Sequence, residues 1–186
     1  MSSSSRRFLT VGNGATLSVL QNPLRTHIES TGEEPFSVPP HWHRRHDEVH
    51  VVLKGRMKIT QDRVTRIITP ADGPILTRAG VVHSLEGFLG EEVSVDETAL
   101  SSEETTEQKI LFFRNLFAPG VLQSLLGTMQ MFYCGDLYPA LPFEIKALER
   151  LFVVVVGGQI APLFGHKLRD DGSRMDPEPF PPSKKD

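Results

Sequence analysis

The sequence predicts an all-β core, a small sandwich or barrel, followed by a helical extension. Three observations carry this. Short β-like runs recur between residues 36 and 98, turn-forming residues separate them, and apolar spacing becomes helical after residue 118. Residues 1–7 are polar and expected to be disordered. Phe8–Leu20 alternates apolar and polar residues around Gly12-Asn13-Gly14 and reads as a hairpin or two short strands. The next strand candidates are Glu48–Leu53, Arg56–Thr60, Val64–Ile68, Ile75–Thr77 and Glu92–Thr98, punctuated by Lys54-Gly55, Gln61-Asp62 and Thr69–Pro74. Ser101–Gln108 reads as an acidic loop and Lys109–Phe117 as a last strand, so residues 8–117 form the expected barrel. In the extension, 118–168, Leu122, Leu125, Leu126, Met129 and Phe132 recur at helical spacing over Gly120–Tyr133. A second helix is expected from Glu144 to about Gly165, and residues 169–186 form a proline-rich, charged tail expected to be disordered. The apolar run Leu151–Gly165, about 15 residues, falls short of the roughly 20 that span a bilayer. It reads as a buried or dimer-interface helix, with membrane contact the minority reading.

Composition narrows the function classes. The chain has 186 residues, 39% of them apolar, enough for one core. Twenty Lys+Arg against 23 Asp+Glu leave a net charge of −3, which argues against binding nucleic acid by phosphate neutralisation. The single cysteine, Cys134, excludes an internal disulfide and a thiolate zinc site. No apolar run of signal-peptide length follows Arg6-Arg7, so a cytoplasmic protein is expected. From Ala79 to Gln108 there is no Lys or Arg but eight acids, read as a solvated acidic stretch.

The histidines carry the chemistry. His41 and His43 are two residues apart, and on an extended segment residues i and i+2 share a face, so both imidazoles can converge on one ion. Glu48 follows at the entry to the next strand, Gly55 ends that strand, and His83 is available downstream as a fourth donor. Three imidazoles and a carboxylate suit one divalent transition metal, Fe(II), Mn(II), Ni(II), Zn(II) or Cu(II). If Glu48 faces the interior, His50 and Val52 face it too, which makes His50 the candidate catalytic acid or base.

His41-x-His43, four residues, Glu48, six residues and Gly55 resemble the first motif of the cupin superfamily, and Gly80 and His83 match its second motif. Departures at Pro35, Asp72-Gly73, Arg78 and Gly87 touch turn geometry rather than ligands. The resemblance implies a cupin-like jelly-roll β-barrel and a homodimer, with His41, His43, Glu48 and His83 as metal ligands. It also implies an enzyme acting on a small-molecule substrate. Fe(II) oxygenase chemistry, as in a tailoring enzyme of secondary metabolism, is favoured on family frequency. A non-redox lyase, isomerase, cyclase or decarboxylase is the alternative, and a non-catalytic binding barrel a further one.

Neighbouring residues receive lesser roles. His46 is expected to be solvated, and His27 and His166 to lie on the surface. Trp42 should point away from the ligands and pack. Arg78 is expected to be solvated or to meet an anionic substrate. Glu86 is expected either to orient a ligand imidazole or to lie exposed. Met57 and Ile59 should form an apolar wall, and Cys134 should be a buried, unreactive thiol.

Overall fold

The computed structural model describes residues 7–12, 14–20, 23–100 and 106–166. Its strands are β1 (Arg7–Gly12), β2 (Ala15–Leu20), β3 (Arg25–Ser30), β4 (Ser37–His43), β5 (Asp47–Lys54) and β6 (Met57–Gln61). They continue with β7 (Val64–Ile68), β8 (Ile75–Thr77), β9 (His83–Glu86), β10 (Val93–Leu100) and β11 (Leu137–Pro139). Two antiparallel sheets result, a six-stranded one in the order β1-β2-β3-β10-β5-β8 and a five-stranded one in the order β11-β4-β9-β6-β7. They face each other across a core in which Leu17, Val52, Met57, Ile59, Leu85 and Val95 interdigitate. Met57 and Ile59 are fully buried, as the apolar-wall reading expects. Burial of side chains of this size stabilises the fold by about 1.5–3 kcal/mol each. Gly55 holds a φ of 74° at the end of β5, and a Cβ there would overlap the backbone of Glu92, so the turn requires glycine.

The expected last strand, Lys109–Phe117, is instead a helix, α1 (Thr106–Leu116). Ile110, Phe113 and Phe117 recur every three or four residues and pack together against the barrel core, a helical spacing that the apolar run Ile110–Phe113 disguises. Of the expected loop Ser101–Gln108, residues 106–108 open this helix and 101–105 lie outside the described residues. So do the tail 169–186 and the N-terminal segment, apart from Arg7 at the start of β1.

The extension forms a helical layer on the outer face of the five-stranded sheet. The first helix there, α2 (Leu125–Cys134), starts later than its apolar spacing suggests, because the Ser124 hydroxyl accepts from Gly127 N and caps it. The next helix begins as α3 (Lys146–Phe152), continues as a π-helical segment over Val153–Ile160 and closes with α4 (Ala161–Leu163). Trp42, Met129, Tyr138 and Val153 form a second core between sheet and helices. No described helix is long and apolar enough to cross a membrane.

The π segment meets α2 at Gly157, where a Cβ would overlap the Met129 carbonyl. Gly157→Ala is therefore expected to lower stability by about 1–3 kcal/mol. Denaturant unfolding measures this, and an unchanged midpoint would contradict the close approach.

Candidate metal centre

Strand alternation sets the site. On β4, His41 and His43 point between the sheets while Trp42 points outward. On β5, Glu48, His50 and Val52 point inward. On β9, His83 lies directly opposite His41. Donor atoms of His41, His43, Glu48 and His83 all lie within 4.8 Å of one another, and all four residues are buried.

Each imidazole is oriented by a backbone carbonyl. Nδ1–H of His41 donates to Pro39 O at 2.8 Å, that of His43 to Asp136 O at 3.0 Å, and that of His83 to Val81 O at 3.2 Å. With Nδ1 as the donor, the neutral ring presents its Nε2 lone pair to the centre. His83 Nε2 lies 2.9 Å from Glu48 Oε2, and His43 Nε2 lies 3.2 Å from Glu48 Oε1. Yet His43 Nε2, His83 Nε2 and Glu48 Oε2 are buried without a hydrogen bond. Lone pairs facing a carboxylate in a dry site are costly unless a cation or a proton stands between them. The set therefore fits a divalent transition metal ion, with N and O donors of the right type and a fixed tautomer.

Protonation states agree for His41 and His43, whereas in the metal-free protein His83 is drawn toward its charged form by Glu48. Burial, with His83 and His43 nearby, pushes His41 down to about 3. Burial also lowers His43. Burial works to raise Glu48, but the adjacent His46 and His83 rings and the charges of His43 and His50 hold it well below the usual carboxylate range. For His83 burial is outweighed by its contact with Glu48, so its pKa rises.

His50 faces the interior, fully buried, with Nε2 3.9 Å from Glu48 and 3.8 Å from Glu97. Glu97 is its direct cross-strand partner on β10. The acid-rich stretch around it reads as solvated, but the alternation Val93, Val95, Glu97 puts it inside. The same parity that selects His50 would have found it. Other members of that stretch are paired as well. Glu86, Glu91 and Glu92 meet Lys58, Arg56 and Lys54, and Asp96 meets Arg25. Glu86 consequently orients no ligand imidazole.

His46 is not solvated. Its side chain is 14% exposed and lies 3.7 Å from both Glu48 and Asp136, tilted against the His43 ring. His27 pairs with Asp96 at 2.6 Å. Arg78 is exposed and bonded to Asp47, and burial raises the Cys134 thiol. Trp42 stacks on Tyr138 and donates Nε1–H to the buried Glu149 at 2.7 Å, in the packing role expected of it. Asp136 was not anticipated, because no sequence signal links it to a histidine 93 residues away. Asp136, His43 and His46 also fall within metal-binding distance of one another. Asp136 Oδ2, however, already accepts the N–H groups of Arg44 and Arg45.

The shifts fix the acid behaviour of the metal-free protein. His41 takes a proton near 6.5 when unfolded and only near 3 when folded, so folding stability falls as pH drops from 6.5 toward 3. His43 acts in the same sense. The raised His83 acts oppositely, but its gain is complete once pH is below 6.5. Chelator-treated protein is expected to lose its denaturant midpoint steadily between pH 6.5 and 5, with His41→Asn flattening the slope. A flat wild-type profile would contradict the buried neutral imidazoles.

No family model matches the sequence. A curated oxidoreductase of Arthrobotrys oligospora is 25% identical over 154 residues, covering 75% of this chain and 59% of that protein. A probable oxidoreductase of Penicillium expansum is 34% identical over 96 residues, covering 50% of this chain and 29% of that protein. The chain thus spans less than two thirds of the length of either relative. Among solved structures, an RmlC-like cupin from Shewanella frigidimarina superposes with a TM-score of 0.40 at 18% identity, over 53% of this chain and 87% of that one. The fold itself is decided by the two facing sheets, by the His-x-His and Glu motif on adjoining inward faces, and by the third histidine that meets them. This chain has the cupin fold.

Proposed function

We propose that the chain is a metal-dependent oxidoreductase acting on a small organic molecule inside the barrel, with Fe(II) oxygenase chemistry as the specific reading. The observation that carries it is the cluster of three tautomer-fixed imidazoles around one buried carboxylate, with Nε2 of His43 and of His83 buried against it without a hydrogen bond. The oxidoreductase names of the relatives support the reaction class. His41, His43, Glu48 and His83 would hold the ion, which supplies redox exchange with dioxygen and a Lewis-acidic position for substrate. Glu48 offsets part of the charge of a divalent ion. Val52, Met57, Ile59 and Leu85 make the barrel interior apolar, which would limit water around a reacting molecule there. His50 is placed to hold or accept a substrate proton, with the Glu97 carboxylate 3.8 Å from its Nε2.

The same His50–Glu97 pair favours a second reading, non-redox lyase, isomerase, cyclase or decarboxylase chemistry, because proton transfer alone could serve it. Consumption of O₂ in step with substrate supports the oxygenase, whereas full turnover without O₂ selects the second reading. Protein purified without chelators should carry about one transition-metal ion per chain. His43→Ala should lose it. Metal-free wild-type protein that takes up none of Fe(II), Mn(II), Ni(II), Zn(II) or Cu(II) would overturn both readings. His50→Gln should keep the metal and lower turnover by about 10²–10⁴-fold.

A homodimer belongs to the same proposal. Leu148, Leu151, Phe152, Val155, Ile160 and Leu163 are 36–83% exposed along the helix that runs from Lys146 to Leu163. A stable interface buries about 800 Å² per partner, and apolar surface on that scale is uncommon on a monomer. A second copy laying the same helix across this face would cover it on both chains. Leu151→Asp is expected to shift the mass measured by light scattering from dimer to monomer, and a monomeric wild type would overturn the pairing.

A further inference from the structure

We infer that Asp136, supplied by the helical extension, is a positioning residue that fixes the tautomer and direction of His43. The inference rests on the metal-centre reading above, and several independent features meet at this residue. Its carbonyl oxygen accepts His43 Nδ1–H at 3.0 Å. Its Oδ2 accepts the backbone N–H of Arg44 at 3.0 Å and of Arg45 at 2.7 Å, the two residues that follow His43. The end of β4 is thereby held through both its backbone and its ring.

The local conformation serves this double role. Asp136 has a φ of 53°, in the left-handed region that Asp and Asn tolerate better than most residues. That turn follows α2 and leads into β11, in which Leu137 pairs directly with His43. The side chain is buried, so its carboxylate has little water to compete with the two N–H donors. Arg45 Nε adds a contact at 3.2 Å from the exposed side. Because Nδ1–H is committed to the Asp136 carbonyl, Nε2 is left as a lone pair aimed at the centre.

The test uses the full chain, stripped of metal and titrated with Co(II), with the visible spectrum and affinity as readouts. Asp136→Asn keeps an amide oxygen for the two N–H groups and tolerates the left-handed turn, so it should match wild type. Asp136→Gly keeps the turn but loses the acceptor, and should bind Co(II) about 10–100-fold more weakly, with an altered spectrum. Electron paramagnetic resonance of the Cu(II) form should show one fewer nitrogen donor in Asp136→Gly. Wild-type affinity and spectrum in Asp136→Gly would overturn the inference, as would an Asp136→Asn variant as weak as Asp136→Gly. Two ions in wild type and one in Asp136→Gly would also overturn it, making Asp136 a ligand instead. Should Asp136→Gly fail to fold, nitrogen-15 shifts of metal-free wild type still decide, since an Nε2–H tautomer at His43 contradicts the arrangement. Wild type with an Nδ1–H His43 that binds no Co(II) would sink the metal reading alone and leave the positioning of His43 standing.

Discussion

The rest of the site depends on one electrostatic constraint, Nε2 of His43 and of His83 brought against the buried Glu48 carboxylate, with His41 clustered beside them. Left alone, that arrangement is unfavourable, because lone pairs and a negative charge face each other in a low-dielectric interior. It persists because the opposite edge of each ring is held by a backbone carbonyl, those of Pro39, Asp136 and Val81. Backbone acceptors suit this task. They do not titrate, and their positions are set by the strands and turns that carry them. The orientation of the rings is therefore a property of the fold, and the unfavourable contact at the centre is the one that a bound ion would remove.

How much of this was legible in the sequence follows from how far apart the interacting residues lie. The inward set His41, His43, Glu48 and His50 was readable because alternation along a strand is local and needs only the residues themselves. Glu97 was equally readable by the parity of Val93 and Val95, but the abundance of acids around it suggested a solvated stretch. The opposite error occurred at Lys109–Phe117, where consecutive apolar residues hid a helical spacing. The burial of His46 and the role of Asp136 were not readable, since both depend on a contact between β4 and β11 that spans more than 90 residues. Local periodicity identifies which face a residue takes. It says nothing about which distant segment will lie beside that face.

That distant segment explains why a tryptophan sits between the two histidines. β4 has two buried faces, one toward the barrel and one toward the helices, and Trp42 anchors the second through Tyr138 and Glu149. Glu149 in turn accepts from Leu141 N, so the carboxylate ties the sheet to the start of the last helix. Glu149, Val153, Gly157 and Ala161, four residues apart, are the buried positions along that helix. In a regular α-helix each step of four runs about 40° past a full turn, and three steps would carry the stripe away from α2. A π-helix has about 4.4 residues per turn, so each step of four falls about 30° short instead. One α-like step and two π-like steps nearly cancel, and all four residues remain on the side of the sheet and α2. The irregular segment is thus the geometric condition for keeping Glu149 under Trp42 while Gly157 stays in contact with Met129. Through Trp42, it also fixes the strand from which His41 and His43 project.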